Sequence, residues 1–329
     1  MNNSGKVAVC IPTFNQASYL SVAVASVFSQ TRKPDEVWIS DDCSTDDTQT
    51  VVDGLLREYP SIKYFRQEKN LGMGGNPNWL MRGPKTEFVA KLDSDDFYEP
   101  EYIGKLVEVL ERNPKAGYAH AATWQVNDAG VRVRARCLYR NYEYISGEDS
   151  LRMLSNGYKV SSNIIVFRRD ALESVDFWKS DMAFGDDFDL AVRLADAGWG
   201  NVYILEFLAN YRVWSDASNY RAGRRLSEIN GMRRVFEESL MPAYVRRNWS
   251  LGPLLSKRRL MAANYVNGFH KLAANSEASE AIKDALITLG DGWRLRFNFF
   301  LVKIGLGYSL EAKSRARVRV GDFIKKLIR

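Results

Sequence analysis

Apolar residues in the first 115 positions follow two alternating patterns. Short apolar runs, typical of buried strands, occupy residues 7–11, 37–40, 62–65 and 88–92. Between them, apolar side chains recur every three or four positions over residues 20–28, 51–56 and 100–112, which predicts amphipathic helices. We expect Ser44 or Thr45 to cap the second of these helices. Strands that alternate with helices predict an α/β domain with a mostly parallel, doubly wound sheet.

The pattern changes beyond residue 118. We predict a strand through Trp124, a Tyr- and Arg-rich stretch over 132–144, a strand at 164–167 and a helix at 187–197 that Gly198 ends. From residue 221 onward only helical spacing remains. The sequence therefore predicts a first domain over residues 1–220, followed by a helical C-terminal region over residues 221–329.

The charge is divided between the same two parts. The 329 residues include 46 Lys and Arg against 40 Asp and Glu, for a net charge of +6. Residues 1–220 carry 24 basic and 31 acidic side chains, whereas residues 221–329 carry 22 basic and 9 acidic ones. The hydrophobic fraction of 46% excludes disorder as the main state. The net charge admits nucleic acid, membrane or phosphate-bearing partners, and its division indicates an acidic unit followed by a basic tail.

The cysteines and the N-terminus indicate a cytoplasmic protein. Cys10, Cys43 and Cys137 are too few for a disulfide framework, and none belongs to a CxxC pair that would suggest structural zinc. The first residues lack the apolar core of a signal peptide, and no uncharged apolar run approaches the ~20 residues of a spanning helix. We therefore expect a chain that stays in the cytoplasm.

Ligands of doubly wound sheets bind at the carboxyl ends of the strands, where this chain has three polar loops. The loop after the fourth strand contains Asp93, Ser94, Asp95 and Asp96. Carboxylates packed together raise one another's pKa, so a site that keeps them ionised should hold a cation. Oxygen ligands favour Mg²⁺ or Mn²⁺, which complete their shells with substrate phosphates. The alternative is a solvated acidic loop in which Asp95 or Asp96 only caps the helix near Pro100.

The loops after the first and second strands could form a base pocket. Phe14 would stack on a nucleobase, and Asp42 would accept a hydrogen bond from a pyrimidine N3–H; ordinary loop chemistry is the alternative. The glycine-rich segment over residues 70–76 would let the backbone approach a phosphate. It lacks the spacing of a dinucleotide-binding or P-loop motif.

A third acidic segment opens the helix predicted at 187–197. The helix dipole would keep Asp187 ionised, so this carboxylate could serve as a general base. The alternative is N-capping, for which Asp186 is the better candidate.

Taken in order over residues 5–215, these segments resemble the family 2 glycosyltransferases of the GT-A fold. The resemblance is carried by residues 11–15 (IPTFN), 40–48 (SDDCSTDDT), 70–72 (NLG), 92–96 (LDSDD), and Asp186-Asp187 with Arg193 six positions later. It implies an α/β nucleotide-sugar-binding domain in which Asp187 is the catalytic base and Asp95, with Asp93, holds Mn²⁺ or Mg²⁺. It further implies that a nucleoside-diphosphate sugar is contacted by Pro12, Thr13, Phe14, Asn15, Asp42, Asn70, Gly72, Asp93, Ser94, Asp186 and Trp214.

One segment departs from the family pattern. Many members carry Tyr-Arg-x-His after the catalytic helix, with a histidine that contributes to the phosphate and metal site, whereas this chain has Tyr211-Arg212-Val213-Trp214. We expect Trp214 to cover the site or to contact the acceptor. His120 and His270 lie elsewhere in the sequence, and we expect structural roles for both.

These features predict a metal-dependent inverting glycosyltransferase that acts on a glycan or lipid-linked acceptor. Breaking the anomeric bond develops charge that a cation neutralises, and one displacement assisted by a base inverts the anomeric centre. Two alternatives remain open. A sugar-phosphate nucleotidyltransferase would normally carry a Gly- and Arg/Lys-rich signature after the first strand, which residues 12–15 lack. The other is a non-catalytic module that binds a glycan or a partner protein.

The basic tail has apolar stripes. Residues 293–329 include 10 basic and 2 acidic side chains. Phe297, Phe300, Leu301, Ile304 and Tyr308 form one predicted stripe, and Val320, Phe323, Ile324 and Leu327 form another. Such helices suit an anionic membrane surface, here the cytoplasmic face of the inner membrane. The alternative is packing on the first domain or on a second subunit. Nucleic acid is disfavoured because no recognised motif accompanies the charge.

Overall fold

The computed structural model describes residues 5–138, 143–157, 164–182, 184–214, 224–266 and 277–307. The chain divides into two compact units, residues 1–220 and residues 221–329. The boundary coincides with the point at which the net charge of the sequence changes sign.

The first unit contains one mixed ten-stranded sheet. Eight strands lie in the order β3-β2-β1-β4-β9-β6-β10-β5, while β7 pairs with β6 and β8 with β10. The strands are β1 (Val7–Thr13), β2 (Glu36–Asp41), β3 (Ile62–Arg66), β4 (Phe88–Leu92), β5 (Phe97–Tyr98), β6 (Ala116–Val126), β7 (Arg132–Arg136), β8 (Tyr144–Ile145), β9 (Ile164–Arg168) and β10 (Gly200–Arg212).

Of the predicted strands, β1, β4 and β9 lie side by side within this sheet, whereas β3 lies at its edge. Every residue of β1, β4 and β9 is buried, as expected for strands covered on both faces. Pairing is parallel from β3 through β4 and again between β6 and β10. The covering helices of this unit are α1 (Ala17–Phe28), α2 (Thr48–Glu58), α3 (Gly72–Met81), α4 (Tyr102–Arg112), α5 (Gly147–Leu154), α6 (Arg169–Ser174) and α7 (Asp186–Asp196).

Strand β9 runs antiparallel between β4 and β6. Its first residue, Ile164, therefore lies opposite Leu92, the last residue of β4. Because β9 runs antiparallel to both of its neighbours, β6 and β10 run parallel to β1 and β4. The carboxyl ends of β1, β2, β4, β6 and β10 consequently lie along one edge of the sheet.

Most of the glycine-rich segment after β3 lies in helix α3, which the sequence did not predict. Asp42 accepts hydrogen bonds from the backbone N–H groups of Leu71 and Gly72, at 2.6 and 2.9 Å, and these anchor the first turn of α3. Gly74 faces a backbone segment, since a Cβ there would lie 2.9 Å from the carbonyl oxygen of Met182. The glycines thus allow α3 to pack closely against this backbone segment. Their low helix propensity explains why no helix was predicted here.

The cap of α2 also differs from the prediction. Neither Ser44 nor Thr45 caps the helix, because α2 begins three residues later, at Thr48. The Asp46 carboxylate instead accepts from the Thr48 N–H at 3.1 Å and from the Ala17 N–H, at the start of α1, at 3.0 Å. One aspartate therefore ties together the starts of two helices.

The second unit is helical in its described residues. It contains α8 (Arg225–Arg234), a π-helix (Val235–Leu240), α9 (Met241–Arg246), α10 (Gly252–Tyr265), α11 (Glu277–Gly290) and α12 (Trp293–Lys303). Ile229, Ala262, Leu286, Leu289 and Leu295 belong to its hydrophobic core. None of the helices in the described ranges has the length and hydropathy needed to cross a membrane.

The predicted apolar stripe of the tail needs one correction. Leu301 packs against the core of the second unit, so it does not belong to the exposed face of α12. Tyr308, the second stripe at Val320, Phe323, Ile324 and Leu327, and His270 all lie outside the described residues.

Candidate active site

Three carboxylates meet at the carboxyl end of β4. Carboxylate oxygens of Asp93, Asp95 and Asp96 lie within 4.8 Å of one another. Burial, followed by the charge of Asp93, raises the pKa of Asp95 to about 6. Burial, followed by the charges of Asp95 and Asp93, also raises the pKa of Asp96. Ser94, between Asp93 and Asp95 in the sequence, is also buried.

Neither Asp95 nor Asp96 caps α4. The helix begins at Tyr102, and Glu101 occupies its N-cap position. Instead, both aspartates bond to the end of β10: Trp214 donates its indole N–H to Asp95 Oδ2 at 3.0 Å, and the Arg212 N–H donates to Asp96 Oδ1 at 2.8 Å. Asp96 Oδ2 is buried and has no hydrogen-bond partner in the described structure.

Arg212 and Trp214 form a wall beside the acidic turn. The buried Arg212 guanidinium donates to the backbone oxygens of Asp95, Asn127 and Asp128, at 2.8, 2.8 and 2.7 Å. The guanidinium lies 4.4 Å from the centre of the Tyr19 ring, on α1. The Tyr19 and Trp214 rings pack in a T-shaped arrangement with their centroids 5.0 Å apart. Trp214 is 38% exposed, so its ring lies partly in solvent while its indole N–H bonds to Asp95.

Lys91 connects the acidic turn to the start of α7. This lysine is buried in β4 and donates to Asp93 Oδ1 at 2.8 Å. Burial opposes its charge, but the carboxylates of Asp93, Asp187 and Asp186 outweigh that cost and raise the pKa of Lys91. The acidic segment that opens α7 therefore interacts with the same lysine as the acidic turn after β4.

Asp187 lies in the first turn of α7, and Asp186 is not the cap that the sequence suggested. The helix starts at Asp186 itself, and Gly185 occupies its N-cap position. Trp178 donates its indole N–H to Asp187 Oδ1 at 2.9 Å. Burial, followed by the charge of Asp187, raises the pKa of Asp186.

The loops after β1 and β2 are joined by hydrogen bonds. The Asn15 N–H donates to Ser44 Oγ at 2.8 Å, and Asn15 Oδ1 accepts from the Thr45 N–H at 2.8 Å. Pro12 and Thr13 are buried at the end of β1, whereas the Phe14 ring is 45% exposed. The loop thus leaves one aromatic face open to a ligand.

Asp42 is buried beside this loop and holds the start of α3. Besides its two bonds to the N–H groups of Leu71 and Gly72, its backbone oxygen accepts from Asn70 Nδ2 at 3.1 Å. Burial raises the pKa of Asp42, against the effect of these bonds. The predicted contacts Asp42, Asn70 and Gly72 are therefore neighbours in space.

Comparison with known proteins identifies this arrangement. The sequence profile of glycosyl transferase family 2 matches residues 8–175, which is half of the chain. The chain belongs to glycosyl transferase family 2. The matched segment includes β1 through β9 and the acidic turn but ends before Asp187 and Trp214. Family membership favours the glycosyltransferase prediction over the nucleotidyltransferase alternative.

This glycosyltransferase has relatives of known name. A GalNAc(5)-diNAcBac-PP-undecaprenol beta-1,3-glucosyltransferase of Campylobacter jejuni is 29% identical over 225 residues, which cover 65% of this chain and 66% of that protein. The matched part thus spans just under two thirds of that relative.

Two solved structures confirm the predicted α/β fold of the GT-A type. TarS of S. aureus, in complex with UDP-GlcNAc, aligns with a TM-score of 0.54 and 16% identity, over 94% of this chain and 92% of that one. The mannosyltransferase PcManGT of Pyrobaculum calidifontis, with GDP-Man and Mn²⁺, aligns with a TM-score of 0.54 and 18% identity, over 95% and 87%.

Several residues of this glycosyltransferase site were missed by sequence reasoning. Asp41 is fully buried and accepts from the Ser44 N–H, Tyr64 Oη and Arg66 Nη1, at 2.9, 3.1 and 2.6 Å. Arg66 also donates to the Ser44 carbonyl oxygen at 2.7 Å, so β3 supports the loop after β2. The sequence contained a signal for Lys91, a lone charge within an apolar strand, but none for Arg66.

A second buried network supports α7. Asp189 is fully buried and pairs with Arg193 at 2.6 Å and with Lys179 at 3.2 Å. Arg193 also donates to the backbone oxygens of Val175 and Phe177. The motif arginine six positions after Asp187 therefore stabilises the segment that carries Trp178, the hydrogen-bond donor to Asp187.

Proposed function

We propose that this protein transfers a sugar from a nucleoside-diphosphate sugar to a hydroxyl of a glycan or lipid-linked acceptor, with inversion at the anomeric carbon. The observation that carries the proposal is the convergence of two acidic segments on Lys91 at the carboxyl edge of the sheet. One segment suits a cation and a diphosphate, and the other supplies a carboxylate that can take a proton.

The acidic turn fits a divalent cation. Its carboxylates provide hard oxygen ligands within 4.8 Å of one another, and Asp96 Oδ2 is buried without a hydrogen-bond partner in the described structure. Asp93 and Asp95 would hold Mn²⁺ or Mg²⁺, and the Mn²⁺ present with GDP-Man in PcManGT supports this assignment. The ion, when bound, supplies neutralisation of the charge that develops on the leaving diphosphate.

Asp187 is the general base in this proposal. Trp178 fixes one of its carboxylate oxygens, and Oδ2 has no hydrogen-bond partner among the described residues, so that oxygen can accept the acceptor hydroxyl's proton. Asp187 lies in the first turn of α7, where a helix dipole favours negative charge. Asp186, whose pKa is raised, retains its proton more readily and so leaves the role of base to Asp187.

The donor nucleotide would bind between the loops after β1 and β2. The exposed ring of Phe14 offers a stacking surface for the base, and Asp42 keeps acceptor lone pairs beyond its two backbone bonds. Pro12, Thr13, Asn15, Asn70 and Gly72 would line the same pocket. Ser94 and Trp214 would bound the sugar end, beside the acidic turn.

A lipid-linked acceptor is supported by the name of the Campylobacter jejuni relative, which contains an undecaprenol-linked substrate. That acceptor would present a hydroxyl to Asp187 Oδ2. Trp214 is partly exposed beside Asp95 and would contact the acceptor or the donor sugar as it enters.

The test of the proposal is Asp187→Asn, with Asp53→Asn on the exposed face of α2 as the matched control. We expect Asp187→Asn to retain the Mn²⁺-dependent thermal shift produced by the best of a panel of nucleotide sugars. Its turnover should fall by about 10²–10⁴-fold, the usual contribution of a general base. Normal turnover in this variant would contradict the assignment, and release of pyrophosphate instead of nucleoside diphosphate would contradict the reaction.

A further inference from the structure

Helix α12 is fixed to the second unit by one face only. Leu295 is buried, and Phe299 and Val302 pack against the same hydrophobic core. Asn298 Nδ2 donates to the Ala263 carbonyl oxygen on α10 at 2.8 Å. The rotation of α12 about its own axis is therefore set by these contacts, and so is the identity of its outward face.

The outward face carries a row of large apolar side chains, here called the aromatic stripe. It consists of Trp293, Phe297, Phe300 and Ile304, which are 72%, 51%, 54% and 49% exposed. Their spacing of four, three and four positions keeps them in one line, since each residue of a helix advances about 100°. Scattered exposed apolar residues are normal, but a contiguous aromatic row marks an interaction surface.

Basic residues flank the aromatic stripe on both sides. At about 100° per residue, Arg294 lies on one side of the line, whereas Arg296 and Lys303 lie on the other. All three are exposed, and the Arg294 guanidinium lies 5.3 Å from the Trp293 ring. Arg296 is paired with Asp291 at 2.6 Å, and residues 293–307 contain no Asp or Glu. The surface is thus an apolar ridge bordered by positive charge.

We propose that α12 docks on the surface of an anionic lipid bilayer, with the aromatic stripe inserted among the acyl chains and the basic residues at the headgroups. Aromatic side chains with flanking Lys and Arg form the pattern of interfacial helices. The 11 residues of α12 span about 16 Å, short of the ~30 Å hydrocarbon core, so the helix lies in the plane of the membrane.

The charge of this surface favours lipid over a second copy of the chain. Taking about 200 Å² for a large apolar side chain, the exposed fractions of the stripe correspond to about 450 Å². Two copies that met through this face would bring their flanking basic residues together, and such like charges repel. Insertion into lipid requires no complementary protein surface, and the flanking cations match the charge of anionic headgroups.

The test is co-sedimentation of the full chain with vesicles of phosphatidylcholine and phosphatidylglycerol in equal parts, compared with phosphatidylcholine alone. We expect binding to the anionic vesicles that falls with added salt. Phe297→Ser/Phe300→Ser should weaken binding by more than about tenfold, because the two half-exposed phenyl groups together contribute at least that factor of partitioning. Arg294→Gln/Lys303→Gln should weaken it by about tenfold on anionic vesicles only.

The control is Val245→Ser/Ile287→Ser, which removes two exposed apolar side chains of the same unit outside the aromatic stripe. It should bind like the wild type. Trp293→Ser, at the most exposed position of the stripe, replaces the phenylalanine pair if that variant unfolds below the wild-type midpoint. The assay needs no donor, cation or turnover, so its result is independent of the proposed reaction.

Three outcomes would overturn the proposal. The first is no binding to anionic vesicles, and the second is equal loss of binding in the control and stripe variants. The third is a wild-type dimer in solution that Phe297→Ser/Phe300→Ser converts to a monomer without any lipid binding by the wild type.

Discussion

Replacing Asp95 by asparagine should stabilise the metal-free protein at neutral pH. The substitution keeps an oxygen that can accept from the Trp214 indole, because the asparagine amide retains a carbonyl, and it removes one charge from the acidic turn. Asp95 is partly buried beside Asp93 and Asp96, and these carboxylates repel one another when no cation is bound. The chain therefore gives up stability to keep this carboxylate ionised.

The magnitude follows from the pKa of Asp95. Its value of about 6 lies about two units above that of a free aspartate, and each unit corresponds to about 1.4 kcal/mol. Allowing for its partial exposure, ionisation of Asp95 costs the folded state about 2 kcal/mol. Because the pKa is raised on folding, the cost is absent below about pH 4, where both states are protonated, and is complete above about pH 6.

The assay is urea unfolding of wild type and Asp95→Asn with a chelator present, at several pH values from acidic to neutral. We expect the variant to gain about 2 kcal/mol in the free energy of unfolding at neutral pH and almost nothing at acidic pH. Excess Mn²⁺ should stabilise the wild type far more than the variant. A variant that is less stable at neutral pH, or a difference that does not change with pH, would refute the reasoning.

Three other predictions concern the supports of the site. Trp214→Phe keeps a ring beside Tyr19 but removes the N–H donor to Asp95, so calorimetry should show about tenfold weaker Mn²⁺ binding; unchanged affinity would show that the bond does not orient Asp95. Asp189→Ala leaves Arg193 and Lys179 without their shared buried partner and should cost about 3–5 kcal/mol in urea unfolding; a loss below about 1 kcal/mol would contradict the structural role of this network. Gly74→Ala should destabilise by about 1–3 kcal/mol because its Cβ meets the Met182 carbonyl, whereas Gly54→Ala, where the added Cβ has only an ordinary contact, should not; equal effects would contradict the close packing of α3.

Much of the first unit could be predicted from the sequence. The four strands seen as apolar runs became β1 to β4. In β1 and β4 every residue is buried, and burial on both faces requires continuous apolar sequence, a requirement that acts within a few residues. The same local logic placed the acidic turn after β4 and Asp187 in the first turn of α7. The prediction of a helix at 187–197 was correct to within one residue at each end.

Local patterns gave a wrong result where distant residues decide the structure. The segment from Gly72 to Met81 contains three glycines and a proline, which disfavour a helix, and no helix was predicted there, yet it is helical because Asp42 anchors its first N–H groups. The caps assigned to Ser44 and Thr45 failed for a related reason. Both residues bond to Asn15 in the loop after β1, and α2 begins further along, at Thr48, whose N–H donates to the Asp46 carboxylate that also holds the start of α1.

The sequence by itself determined the apolar runs that became β1 to β4, the amphipathic helices between them, the polar loops at the strand ends and the division of charge near residue 220. These properties depend on the spacing of neighbouring residues. Only the tertiary structure decided that β9 enters antiparallel between β4 and β6, that Trp214 bonds to Asp95 across 119 positions and that Lys91 faces both acidic segments. Strand pairing and side-chain contacts between distant residues depend on how the whole sheet packs, so no local pattern encodes them.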